Sequence, residues 1–232
     1  MVKNQWDRYA YIYERGIGQG GDTLHDNLID PLIFKYLGNK KYQTIVDAGC
    51  GNGYLLKRLS GLADLVIGLD YSIKLLETAK RKISGNRKIK LIQTDLTKQL
   101  PLEKASVDVI IANMSLQYLP SLKVFAEECQ RTLKKNGLLI VTVDHPGHFL
   151  FSRAQELAGK KDPHFIETDS YFSERKFKKN SLWGQAVLEY YHRPLKSYLN
   201  VFSRYLRLIE VDENSQDGET PRILGLLFEK NG

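Results

Sequence analysis

The chain has 232 residues, 42% of them hydrophobic, and a net charge of +7. That length and apolar content suit one sizeable core with appendages, not a disordered or fibrous chain. Two cysteines, Cys50 and Cys129, exclude a disulfide framework, and no run approaches the roughly 18 apolar residues that cross a bilayer.

In chain order, the opening MVKNQWDRYA has no apolar signal core, so the expected location is cytoplasmic. Trp6, Tyr9, Tyr11 and Tyr13 precede Gly16, Gly18, Gly20 and Gly21, an aromatic segment beside a glycine-rich loop. Asp22 to Leu37 has helical spacing along Leu24, Leu28, Leu32 and Leu37, with Asp22 or Thr23 as cap and Pro31 as a kink or divider. Residues 1–40 therefore read as a helical flap. Thr44-Ile45-Val46 is β-rich and ends in Asp47, followed by Gly49, Gly51 and Gly53 and an amphipathic segment from Tyr54 to Leu59. Alternate glycines allow positive φ and let a ligand lie against bare backbone, and a strand, glycine turn and helix start together make a cofactor cradle. Leu65 to Asp70, Ile89 to Asp95 and Val107 to Asn113 are further apolar strands, each ending in a polar residue. Phe125 to Leu133 is a helix that buries Cys129, and Leu133 to Asp144 runs through an Asn136-Gly137 turn into a fifth strand. Residues 145–185 break the pattern, from His145-Pro146-Gly147-His148 through Tyr171, Phe172 and Trp183, and read as a cap inserted after that strand. Ala186 to Tyr191 alternates as a strand, His192-Arg193-Pro194-Leu195 opens a helix through about Leu208, and Arg222 to Glu229 is a last strand.

The alternation over residues 41–144 predicts an α/β fold, a mostly parallel sheet with helices on both faces. Ligands of such sheets bind beyond the carboxyl ends of the strands, where Asp47, Asp70, Asp95 and Asn113 converge. An acid about 20 residues past the glycine turn suits a ribose diol, because one carboxylate accepts from both hydroxyls.

A dinucleotide turn is spaced G-x-G-x-x-G, whereas this run is D-x-G-x-G-x-G. It resembles the first motif of the class I S-adenosylmethionine-dependent methyltransferases, and the later strand ends follow that family's order over roughly residues 41–144. The resemblance implies a Rossmann-like, seven-stranded, mostly parallel sheet completed by residues 186–232, whose last two strands would form an antiparallel hairpin. It implies S-adenosyl-L-methionine as cofactor and S-adenosyl-L-homocysteine as product. The cofactor would be held by Asp47, Gly49 and Gly51, by Asp70 on the ribose with Tyr71 on the adenine, by Asp95 and Leu96 at the adenine edge, and by Asn113 and Met114 beside the methyl-transfer site. The aromatic flap and the cap would enclose the acceptor, with Tyr13, Gln117 and Tyr118 against it.

Methyl transfer rests mainly on positioning, and a base is needed only where the acceptor must lose a proton. Histidine suits that task near neutral pH. His145 beyond the fifth strand, His192 after the sixth and His25 in the flap are the candidates; no metal site is read. Cys50 reads as a small filler and Asp108 as structural. The lysines lie in scattered pairs without a dense stripe interleaved with aromatics. The loop after the fourth strand reads NMSL, unlike the N-P-P-Y or D-P-P-Y of resembling nucleic-acid enzymes. The expectation is therefore transfer to an O, N or C atom of a small, apolar or aromatic molecule by a monomer or homodimer, without nucleic acid or membrane. An RNA or protein methyltransferase and a non-catalytic cofactor-binding protein are the alternatives.

Overall fold

A computed structural model describes residues 5–18, 20–148, 171–180 and 187–232. Its centre is a seven-stranded sheet in the order β3-β2-β1-β4-β5-β9-β8. Strands β1 (Tyr42–Ala48), β2 (Ala63–Asp70), β3 (Ile89–Gln93), β4 (Val107–Asn113) and β5 (Leu133–Asp144) are mutually parallel. Strand β9 (Pro221–Glu229) runs antiparallel to β5, and β8 (Arg207–Ser215) antiparallel to β9.

The central strands are apolar on both faces, as strands covered by helices on each side require. Val46, Ala48, Ile110, Ala112 and Val141 point into one core with Phe125 of α5 (Lys123–Thr132) and Tyr198 and Phe202 of α6 (Leu195–Phe202). Ile45, Val109, Ile111 and Ile140 point into the other, with Leu32 and Ile33 of α2 (Asp30–Leu37), Leu56 and Leu59 of α3 (Leu56–Leu59) and Leu76 of α4 (Ile73–Lys82).

Helix α1 (Gln5–Ile17) lies against α4. The helix expected from Asp22 is divided: a π-helical turn spans His25–Ile29 and α2 starts at Asp30. Pro31 has no N–H for the carbonyl four residues back, and the hydrogen-bond register shifts there. Asp22 accepts from the backbone N–H of His25 at 3.0 Å, filling the capping role.

Two expectations near the C-terminus are corrected. The helix after Pro194 stops at Phe202, because residues 207–215 instead form β8 on the open edge of β9. The strand expected at 186–191 does not enter the core sheet. It is β7 (Val187–His192) and pairs with β6 (Arg175–Asn180) in a separate hairpin. The terminal antiparallel hairpin is β8–β9. Most of the cap expected over 145–185, including His164 and Trp183, lies outside the described residues. Among the described residues no helix is long and apolar enough to cross a membrane.

Candidate active site

The switch point of the sheet lies between β1 and β4, which flank each other while their chain connections diverge to opposite sides. The carboxyl end of β1 carries Asp47, level with Gly68 on β2 and Ile111 on β4. Both Gly49 and Cys50 donate their N–H groups to the Leu69 carbonyl, at 2.7 and 2.9 Å, which folds the glycine turn over the end of β2. Gly49 has φ +87°, and a Cβ there would stand 2.5 Å from Ser115 Cβ, so only glycine fits. The turn does not open a long helix. Helix α3 has four residues, so the cradle depends on the turn's backbone and the strand-end acids rather than on a helix dipole.

Asp70 at the tip of β2 is buried, and its two oxygens accept from the N–H of Gly51 at 2.8 Å and of Ser72 at 2.8 Å. Those amides pin the carboxylate in one orientation and leave each oxygen a further lone pair. Burial pushes its pKa up to about 6, against the pull of the Ser72 and Gly51 amides. Asp47 is 2% exposed, and its Oδ1 has no hydrogen-bond partner. Burial, then the nearby Asp70 and Asp30 charges, raise its pKa to about 8. An orphaned buried carboxylate oxygen beside a second buried carboxylate is a site lacking a cationic donor. Cys50 is the filler expected of it: its Sγ packs over Gly68, and burial raises the thiol pKa.

Helix α1 closes over this turn. Glu14 accepts from Asn52 at 2.6 Å and from Lys82 at 2.9 Å, Asp7 accepts from Ser72 Oγ, and Gln5 accepts from the Glu189 N–H at 2.8 Å. Tyr13 is thereby laid on Gly51, its ring 3.2 Å from where a Cβ would stand. Burial raises its hydroxyl pKa, and the neighbouring Asp70 adds to the shift. Trp6 meets Tyr118 edge-on at 4.7 Å, Tyr118 meets Tyr190 at 5.8 Å, and Phe177 packs on Tyr190 at 4.9 Å. These rings come from α1, the turn after β4 and the β6–β7 hairpin, and wall an aromatic box beside the cofactor turn. Gln117, in the same turn as Tyr118, is 0% exposed with both carboxamide atoms unpartnered.

The remaining expected residues fall into two groups. Asp95 follows β3, with Oδ1 accepting from the Thr97 N–H at 3.0 Å and hydroxyl at 2.6 Å; Leu96 beside it is buried. The carbonyl of Tyr71 receives the Gln93 amide at 3.1 Å, next to Asp70. Met114 takes φ +49° and donates its N–H to the Thr142 carbonyl, so the chain turns sharply at the rim.

The side chain of Asn113 bridges Tyr54 at 2.7 Å and Thr142 at 2.7 Å, and Tyr54 continues to Asp30, a buried network behind the rim. His145 is corrected as a base. Its Nδ1 accepts from the Gly147 N–H at 3.0 Å, so the proton sits on Nε2, which contacts Glu213 at 2.7 Å, and no lone pair remains. His25 Nδ1 donates to its cap Asp22 at 2.7 Å, which leaves the lone pair on Nε2, and the ring packs on Tyr54. His192 donates Nε2–H to the Tyr171 carbonyl at 2.8 Å and keeps a neutral Nδ1 lone pair. Sequence reasoning missed Asn52, Ser72 and Asp7, which tie α1 to the turn, and Phe177 and Tyr190. The pattern Ser72-Ile73-Lys74-Leu75 was readable as a helix cap; the others carry no local signal.

Among the described residues, no group of three or more His, Cys, Asp or Glu side chains stands where it would hold a metal ion. Fold and site thus define an α/β protein with an acid-lined, glycine-floored cradle at the switch point of its sheet.

Comparison with known proteins agrees. Residues 46–141 match the family described as the methyltransferase domain. The malonyl-[acyl-carrier protein] O-methyltransferase of Legionella pneumophila is 27% identical over 150 residues, 64% of this chain and 51% of that protein. A demethylmenaquinone methyltransferase of Staphylococcus aureus is 30% identical over 111 residues, 47% of this chain and 46% of that protein. The chain thus spans about half the length of these curated relatives. The crystal structure of an S-adenosylmethionine-dependent methyltransferase from Mesorhizobium loti superposes with a TM-score of 0.70 at 22% identity, covering 87% of this chain and 97% of that one. Residues 46–141 are thus similar to the methyltransferase domain, and the chain shares its fold with solved S-adenosylmethionine-dependent methyltransferases.

Proposed function

We propose that the protein transfers a methyl group from S-adenosylmethionine to an O, N or C atom of a small molecule with an apolar or aromatic body. The observation that carries this reading is Asp47: a buried carboxylate with an unpartnered oxygen, at the sheet's switch point, next to the amide-pinned Asp70. The relatives' acceptors, a malonyl group on a carrier protein and demethylmenaquinone, support a small acceptor.

When bound, the cofactor supplies an activated methyl group on a sulfonium. Asp70 is oriented to accept from a ribose diol, and the Asp47 oxygen to accept from an ammonium. Asp95 and Leu96 are assigned to the adenine edge and Tyr71 to its face, since all three follow strand ends beside Asp70. Tyr13 and Trp6 on α1 exclude water, which strengthens each of these contacts by lowering the local dielectric. Trp6, Tyr118, Tyr190 and Phe177 align the acceptor, and such alignment alone removes up to roughly 7–11 kcal/mol from a bimolecular barrier. Gln117 offers one donor and one acceptor to the acceptor's polar atoms. Of the three histidines, His192 keeps a lone pair on Nδ1 and His25 one on Nε2 for a proton, whereas both nitrogens of His145 are engaged.

Calorimetry with S-adenosylhomocysteine tests the reading. Micromolar binding to the wild type, lost in Asp70→Ala, supports it. No binding to the wild type refutes it.

A further inference from the structure

We propose that a cavity at the open end of the β6–β7 hairpin binds an anionic group, a carboxylate or a phosphate, carried by the methyl acceptor; that the anion belongs to an acceptor rests on the activity proposed above. The cavity measures about 220 Å³, and among the described residues its wall includes Arg175, Lys176, His192 and Arg193 with one acid, Glu174. Lys176 reaches Glu189 at 3.0 Å.

Arg193 carries the argument furthest. It is 6% exposed and pairs with no carboxylate among the described residues. Its guanidinium donates to the backbone carbonyls of Leu119 and, at 3.4 Å, Leu116, and lies 5.4 Å from the centre of the Tyr191 ring. Burying a guanidinium among neutral groups, without a carboxylate against it, is costly. A carboxylate or phosphate in the adjoining cavity removes that cost through charge-assisted bonds.

The cavity also sits where an acceptor would reach it. Arg175 and His192 oppose each other in register, as Phe177 and Tyr190 do two residues further along. Strand alternation puts all four on one face, so the cationic end lies roughly 7 Å from the aromatic box along the hairpin. A ligand spanning both places an apolar or aromatic body among Trp6, Tyr118 and Tyr190 and an acidic group at the hairpin's end. His192 reports on the same space. Burial holds its pKa below the ordinary histidine range, and the Arg175 and Arg193 charges push the same way. A bound anion pushes back.

The full chain is titrated with inorganic phosphate and, separately, with succinate, following the His192 ring resonances by NMR, assigned against His192→Gln. The expected result is saturable binding in the millimolar range with the His192 pKa moving up, and binding at least about tenfold weaker in the double variant Arg175→Gln/Lys176→Gln. Thermal stability and S-adenosylhomocysteine binding should be unchanged in that variant. Tighter phosphate binding assigns a phosphate-bearing acceptor, and tighter succinate binding a carboxylic acid. Static His192 resonances with both anions, or binding undiminished in the double variant, overturn the proposal. Loss of S-adenosylhomocysteine binding by the wild type would instead sink the proposed activity and leave the anion titration to stand or fall by itself.

Discussion

At the scale of single residues, the two acids of the cradle divide the work. Asp70 is already satisfied by the Gly51 and Ser72 amides, so its orientation exists before any ligand arrives. Asp70→Asn should keep the fold yet weaken S-adenosylhomocysteine binding at least about 100-fold by calorimetry, because the variant amide cannot accept at both positions. Asp47 is the reverse, a group whose environment is poor without a ligand. Its folded pKa is raised from 3.8 to about 8, so between those values the folded protein holds a proton that the unfolded chain has released. Stability from this group is therefore full below about pH 4 and is lost as pH rises toward 8. Asp47→Asn should flatten that fall, raising the melting temperature of the ligand-free protein at pH 8 by a few degrees, on the order of 1 kcal/mol or more, while weakening cofactor binding. Differential scanning fluorimetry at pH 6 and pH 8 decides this; equal pH slopes for wild type and variant would rule it out. The acids were legible in the chain because each ends an apolar strand. The engagement of His145 was not legible, because the deciding contacts, Glu213 and the Gly147 amide, depend on β8 and on a local turn.

Among the elements, α1 is the one whose role depends most on contacts. Its aromatic residues and the glycines after it suggested a flap in sequence, but the latch is polar: Glu14 to Lys82 and Asn52, Asp7 to Ser72, Gln5 to the hairpin. Glu14→Gln weakens the charged part of the latch, and Lys82, with a side chain 6% exposed, loses its carboxylate. The expected outcome is several-fold faster S-adenosylhomocysteine dissociation by stopped-flow fluorescence of Trp6, with little change in the association rate. An unchanged dissociation rate would show that α1 is not a lid. The β6–β7 hairpin was half legible. Alternation marked 186–191 as a strand, but pairing is a property of two segments, and RKFKKN at 175–180 has too many lysines to read as a strand alone.

For the whole molecule, the sheet is completed from the far end of the chain. Leu224, Leu226 and Phe228 of β9 are fully buried in the core that holds Phe125 and Phe202. A chain ending at residue 202 should therefore lose cooperative unfolding by calorimetry or circular dichroism, although residues 46–141 contain the whole cofactor turn. A sharp transition in the truncated chain would show the parallel half to be autonomous.

The sequence by itself determined the parallel half of the sheet, the glycine turn and the strand-end acids. Those features rest on local periodicity and on backbone conformations that few residues allow. Only the tertiary structure decided that residues 207–215 form a strand and not the end of a helix, that Asn113 joins a buried network, and that Arg193, Arg175 and His192 share one cavity. Each of these depends on a partner distant in the chain, and no local propensity encodes which open edge or unpaired group a segment will meet.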